Sequence, residues 1–600
     1  MSANQISRLL PQLFQSVQQG QFAVAAQLAD ALACLPVNDP RFYHAAGVAY
    51  LNTGQHPKAL IQLEKFVGLV KGQHGSLNVV ADLSSKVGDY AAADKYFGQA
   101  IAASPNTYQY YFNFALSKIA RKDWPAAKEL LQKALALAPQ FLKARKELVR
   151  VFLETAQFDA ALALFDAIVQ SEFDWSVYYL RAQTFEQGGQ LDQAYSDYNQ
   201  ALAFNPKEAR IYEALCQLQL TFGNPHRALE LAREGVRQLP ASSTLNLLLS
   251  NLNFELEQPN PLAHYEVALR ACPSDNLYAD YISQLVLHNE SERSQQVLAN
   301  FEHCAQDQSV FLASFCLVKK SQGDYAAIID VLAKFANMNV RLMDYQAQAY
   351  IATGDLIQAQ NIVTELLQQH PENQYYWALQ ATIYKYTDQA KYNELYDFEQ
   401  LVHYVPLEVP EGYSDIDDFN AQLTIALQQL HITKVNPLGQ TGKGGTQTPG
   451  FLFDQKVPVI QDLQKALKQT IENAFARAGT DRNSTHPVKS RNTGKIDIVT
   501  AWSMWLKAGG YHVSHVHPKG WYSSAYYVSI PDEVNTDSTQ GAIGFGKPGI
   551  DLANEGTYDK ILTPRPGYIA LFPSMMWHGT VPFDSQEPRV VVAFDMLPAR

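Results

Sequence analysis

Along the first two thirds of the chain, apolar residues recur at three- and four-residue spacing in stretches of helical length, each followed by a polar turn and another such stretch. That period puts them on one stripe of an α-helix. From 496 onward the pattern changes to short runs, IDIVTAWSMWL, YHVSHV, WYSSAYYVSI, GAIGFG, YIALFP and RVVVAFDM, which alternate and are bounded by Gly, Pro, Asp or Asn. Alternation over such lengths predicts strands, and many strands punctuated in this way predict a barrel or jelly roll. Between the two regions lie the amphipathic segments DDFNAQLTIALQQLH and VIQDLQKALKQTIENAFARAG, separated by NPLGQTGKGGTQTPG at 436–450, which its glycines and polar residues predict to be a loop. The GKGG within it lacks the GxxxxGK[ST] pattern and a preceding buried strand, so no phosphate loop is expected.

The helical part is periodic. Prolines follow alanine-rich amphipathic stretches at Pro105, Pro139, Pro206, Pro240, Pro273 and Pro371, at intervals of 34, 67, 34, 33 and 98 residues, with Pro36 upstream. These are close to one, two, one, one and three times a unit near 34, the length of a tetratricopeptide repeat. Twelve positions before several prolines stand Ala93, Ala127, Ala194, Ala228 and Ala359, with Ala59 and Ala161 in phase; five before stand Ala100, Ala134 and Ala201. Those positions share a helical face where only a methyl group lets two antiparallel helices approach closely. Turn residues in VGDYAAA, KDWPAAK and TGDLIQA precede the second helix of each pair, while Pro261 occupies the alanine position of one unit and puts that unit in question. The region resembles the tetratricopeptide-repeat family. The resemblance implies a superhelical solenoid whose groove holds a protein or peptide, with support of the downstream domain as the plainer role. Tyr108, Tyr110, Tyr111, Tyr178 and Tyr179 are candidates for that groove or for the core.

The repeat phase is lost near 390, where Pro406, Pro410 and Gly412 interrupt helical continuation. The expected organisation is 1–390 as a repeat array of about ten units, 391–425 as a linker and leading helix, and 426–600 as the β-rich domain. The fold class is therefore multi-domain α + β: an all-α solenoid followed by a double-stranded β-helix, jelly-roll or cupin-like, with flanking helices. A net charge of -12 argues against a surface built for nucleic acid or anionic lipid. Five cysteines, widely spaced and without a CxxC pair, read as small core residues in a reducing compartment. With no signal-like N-terminus and no long apolar run, the expected location is cytoplasmic and away from membranes.

Candidate chemistry concentrates in HVSHVHPKGW at 512–521, which holds three of the chain's 15 histidines. On a strand His515 and His517 share a face and His512 takes the other, so the first two can converge on one ion if a third ligand arrives from elsewhere. His578, in FPSMMWHGTVPF, is the candidate. Arg589 opens an otherwise apolar strand, where an unpaired buried charge is costly and an anion is expected. Asp532 and Asp537 are the nearest downstream carboxylates and read as loop residues. Lys519, Trp521, Ser524 and Tyr527 lie near the expected pocket.

This order of HxH, H and R resembles the Fe(II)/2-oxoglutarate-dependent oxygenases, and most closely a bacterial group of them that follows tetratricopeptide repeats. The likeness is carried by GGTQT, HVHPKGW, SSAYYV, PGYIALFPS and WHGT. It implies an Fe(II) centre on His515, His517 and His578, 2-oxoglutarate anchored by Arg589, and O2-dependent hydroxylation; Tyr527, near the expected pocket, is a further candidate to contact the cosubstrate, and the attached array suggests a protein or peptide substrate delivered by the repeats. His517 stands where the superfamily usually has a carboxylate. Two other readings remain open: a cupin-type three-histidine iron dioxygenase that does not use 2-oxoglutarate, and a non-catalytic adaptor with a relic barrel.

Overall fold

The computed structural model describes residues 2–599 apart from 36, 38, 71–72, 169–172, 337, 438, 480, 482, 535–538 and 553–555. Pro36 and Asp537 thus lie outside the described residues. The chain divides into two compact units, Met1–Asn205 and Pro206–Arg600.

In the first unit, consecutive helices such as Tyr90–Ala103, Tyr108–Ala120 and Trp124–Leu137 pack against their successors. Ala59, Ala93, Ala100, Ala127, Ala134, Ala161, Ala194 and Ala201 are all fully buried, as the small-residue phase requires. The turn inside each pair needs a left-handed residue. Gly54, Gly88 and Gly189 supply it with φ of 74°, 85° and 78°, whereas Lys122 and Ala156 adopt φ of 58° and 53° despite a Cβ. Asp89 and Asp123 then cap the following helix, accepting hydrogen bonds from Ala92 N and Ala126 N. Tyr110 is buried and meets His74 Nδ1 through its hydroxyl at 2.6 Å, while Tyr108 packs edge-on against Phe141.

The second unit begins with further pairs of the same kind, in which Ala228 and Ala359 are again fully buried. The pair containing Pro261 forms as well: helix Ser243–Glu255 is followed by Ala263–Ala271, only 9 residues long because the helix starts after the proline. Of the five cysteines, Cys216 and Cys316 are buried but Cys34, Cys272 and Cys304 are exposed, which corrects the expectation that all are core residues.

After the last pairs come, among the described residues, nine strands: β1 (His403–Pro406), β2 (Gly442–Gln447), β3 (Ile496–His512), β4 (Tyr522–Ser529), β5 (Ile543–Phe545), β6 (Lys560–Leu562), β7 (Tyr568–Pro573), β8 (His578–Thr580) and β9 (Arg589–Pro598). They form an antiparallel six-stranded sheet, β1-β7-β4-β9-β3-β2, and a three-stranded sheet, β6-β5-β8. Helices Ile416–Leu430 and Pro458–Ala478 cover the outer face of the larger sheet, where Phe419, Leu423, Leu467 and Phe475 share one core with Tyr526 and Phe594. Its inner face and the smaller sheet enclose a cavity of about 420 Å³. The expected loop around GKGG contains β2, an edge strand paired with β3 through a bulge between Lys443 and Gly445. Glycine is required there by proximity, since a Cβ on Gly445 would lie 2.2 Å from Trp505 O. No described helix is long and apolar enough to cross a membrane.

Candidate metal centre

The three histidines meet in the cavity. Each offers a ring nitrogen, and these atoms lie within 4.8 Å of one another. Backbone pairing sets two of them: His515 N donates to His578 O at 2.9 Å and His578 N to His515 O at 3.0 Å, a bridge that extends β8. Their ring centroids are 4.2 Å apart, and His517 lies 5.0 Å and 5.2 Å from His515 and His578. A turn at 518–519 follows His517, whose N donates to Ser574 O at 3.0 Å.

Hydrogen bonds select the tautomers. His515 Nδ1 lies 2.8 Å from Val513 O and His578 Nδ1 lies 2.9 Å from Met576 O. A carbonyl only accepts, so both Nδ1 atoms carry the proton and both Nε2 atoms keep a lone pair that can bind a metal, the one on His515 lying 3.4 Å from Thr441 Oγ1. His517 Nδ1 lies 2.8 Å from the Asp595 carboxylate, which accepts its proton in a hydrogen bond. Burial, reinforced by the neighbouring imidazoles, holds His515 at a pKa of about 3 and His578 well below the ordinary histidine range. Three imidazoles tied down at Nδ1, with ring nitrogens this close together, form a donor set suited to a divalent transition metal, including Fe(II). The residues present fit such an ion.

The same cavity has a cationic wall. Arg589 is 2 % exposed, and its Nε has no hydrogen-bond partner among the described residues. Its guanidinium lies 5.4 Å from the ring centroid of Tyr527, whose buried hydroxyl also lacks a partner among them. Burial depresses the Arg589 pKa and lifts that of Tyr527 to about 12. Two orphaned donors side by side fit an anionic ligand group, carboxylate above all.

The inner face follows strand alternation. Arg589, Val591, Ala593 and Asp595 of β9 line the cavity, as do Thr500, Trp502 and Met504 of β3. Ser523, Ala525 and Tyr527 stand opposite Asp595, Ala593 and Val591, and Ser524, paired with Phe594, is also among the residues that line the cavity. Trp521 is buried with Nε1 donating to Val488 O, and Lys519 lines the cavity. His512 departs from expectation by lining the cavity too, with Nδ1 3.2 Å from Thr580 Oγ1. The strand ends at His512 and 513–514 is irregular, so alternation does not carry through to His515. Asp595 was not anticipated. An acidic residue within RVVVAFDM is the same signal that singled out Arg589, six positions earlier and on the same face.

Residues 500–595 match the family model described as "Putative 2OG-Fe(II) oxygenase". Tetratricopeptide-repeat models match 118–184, 74–107 and 176–208. No curated protein matches the chain. Solved structures similar to it include the C-terminal part of a TPR repeat-containing protein from Cytophaga hutchinsonii (14% identity, 40% of this chain and 98% of that one, TM-score 0.34). A tetratricopeptide repeat protein from Parabacteroides merdae (17% identity, 42% and 99% covered, TM-score 0.34) is another. MamA from Desulfovibrio magneticus RS-1 is a third (18% identity, 28% and 96% covered, TM-score 0.26). Tetratricopeptide repeats in the N-terminal part and a 2OG-Fe(II) oxygenase domain at the C-terminus are the families to which this chain is matched.

Proposed function

We propose that the protein is an Fe(II)- and 2-oxoglutarate-dependent dioxygenase that hydroxylates a protein or peptide brought to it by the repeats. The observation that carries this reading is the juxtaposition, in one cavity, of three imidazoles with ring nitrogens within 4.8 Å of one another and a buried arginine that has no ion-pair partner among the described residues. His515, His517 and His578 would hold the iron, and Arg589 with Tyr527 would bind the far carboxylate of 2-oxoglutarate. Iron with this cosubstrate supplies a net reaction in which 2-oxoglutarate, O2 and a C–H bond become succinate, CO2 and an alcohol.

The chain's own residues do the rest. Met576 O and Val513 O hold two imidazoles in the tautomer that presents Nε2. Trp502 lies parallel to His517, with ring centroids 6.0 Å apart, and Phe572 packs 4.5 Å from His578, so apolar surface excludes water beside both ligands. In that low-dielectric setting the Arg589 guanidinium attracts a carboxylate far more strongly than it would in water. Tethering through the repeat groove raises the substrate's effective concentration at the cavity. A cytoplasmic location accords with this chemistry and belongs to the same proposal.

Succinate release with iron, ascorbate and 2-oxoglutarate tests the reading. Wild type should release succinate, while His578→Ala should fall to background. Equal release by both would overturn the proposal. Oxygen uptake by the iron-loaded protein without 2-oxoglutarate would point instead to the three-histidine dioxygenase chemistry that binds substrate directly.

A further inference from the structure

Resting on that reading, we propose that Asp595 is a positioning residue of the metal centre. Its carboxylate holds His517 with Nε2 aimed at the ion, and through that imidazole it supplies the negative charge that three neutral ligands lack.

Asp595 is the only acidic side chain among the described residues that line the cavity, whereas Arg589 and Lys519 are basic. A divalent cation would add to an already positive enclosure, and an anionic group is needed to hold it there. Asp595 is 9% exposed and its carboxylate straddles the imidazole, with His517 Nδ1 2.8 Å from Oδ2 and 2.7 Å from Oδ1. No lysine or arginine among the described residues forms an ion pair with it. Two hydroxyls fix its orientation: Ser523 Oγ donates to Oδ1 at 2.7 Å and Thr500 Oγ1 to Oδ2 at 3.1 Å. Ser523 Oγ also meets Ser574 Oγ at 2.9 Å, and Ser574 O accepts from His517 N at 3.0 Å. The backbone and the ring of His517 are therefore held by one closed network.

The other two ligands differ in kind. His515 and His578 donate to the neutral carbonyls of Val513 and Met576, each two residues back. His517 alone donates to a charge, and it reaches that charge across 78 residues of sequence. A carboxylate accepting from Nδ1 makes an imidazole a stronger donor at Nε2 than a carbonyl does. The three ligands are thus unequal, and His517 is the one with anionic character.

Oxygen-free titration of the metal-free, full-length protein with Fe(II) and Co(II) tests this, read as the dissociation constant and the Co(II) visible spectrum. Asp595→Asn keeps the shape but removes the charge, and should weaken binding about 10- to 100-fold and shift the Co(II) bands. Affinity within about two-fold of wild type with an unchanged spectrum would overturn the proposal. If that variant does not fold, the pair Thr500→Val with Ser523→Ala decides, because it keeps the carboxylate but frees it. Several-fold weaker binding supports the assignment, and unaltered binding overturns it. Failure of the wild type to bind metal, or binding that survives His578→Ala, would sink the oxygenase reading itself, whereas wild-type binding with an indifferent Asp595 would sink only this one.

Discussion

At the scale of single residues, Arg589 carries the most specific expectation about the ligand. Its Nε is buried and has no partner among the described residues, so an incoming carboxylate gains a charge-assisted hydrogen bond of about 1.5–3 kcal/mol. Arg589→Met, which fills most of the apolar volume, is expected to weaken 2-oxoglutarate binding by roughly 10- to 150-fold, as read by oxygen-free calorimetry, while metal affinity changes little. Arg589→Lys should restore only part of the loss because an ammonium lacks the planar fork. The histidines and this arginine were legible in the sequence because their residue types are rare on apolar strands. Asp532 and Asp537, the nearest carboxylates downstream of His517, read as loop residues, and the carboxylate that meets it stands 78 residues away, across a sheet that local spacing does not describe.

At the scale of elements, two packing rules make separate predictions. Ala127 is fully buried between helices, so Ala127→Leu should destabilise the chain by about 1–3 kcal/mol through overpacking, visible as a lowered urea midpoint. Asp123→Ala removes the cap on Trp124–Leu137 and should cost about 1 kcal/mol. The shortened pair adds a pH effect. His264 packs there with Nε2 3.1 Å from Asn246 O, and burial lowers its pKa to about 4, against about 6.5 in an unfolded chain. Between those values the unfolded state binds the proton and the folded state does not, so stability falls as pH drops from about 6.5 to about 4 and levels off below. Urea titrations across that range should show His264→Gln losing less stability than wild type. Repeat helices were readable because their packing is local and recurs. Strand β2 was not, because its Gly-rich run is extended only by pairing with β3.

Within the second unit, the last repeat helices grip the segments that bear His517 and His578. Trp577 Nε1 donates to Thr382 Oγ1 at 2.9 Å and to Ala378 O at 3.2 Å, immediately before His578. The Tyr396 hydroxyl donates to Met575 O and accepts from Trp577 N. Gln374 N donates to Pro518 O at 3.0 Å, next to His517, and Lys385 pairs with Asp559 at 2.7 Å. Tyr396→Phe should therefore do two things: lower stability by about 1–3 kcal/mol through the unpaired polar groups left behind, and weaken metal binding through the loosened approach to His578. A thermal melt of the metal-free protein and a Co(II) titration measure the two effects, and a change in the melt alone would show that the grip does not reach the site.

What the amino-acid order determined by itself is whatever repeats or recurs locally: helix pairs with their alanine phase and caps, alternating strands, and a histidine-rich segment with an arginine downstream. These follow from short-range sterics and hydrophobic period, which neighbouring residues encode. Only the tertiary structure decided that β2 is a strand, that His512 also faces the cavity, that Asp595 stands behind His517, and that repeat helices brace the segments around His517 and His578. Each depends on groups brought together from far apart in the chain, and their distance is set by the packing of sheets and helices rather than by spacing in sequence.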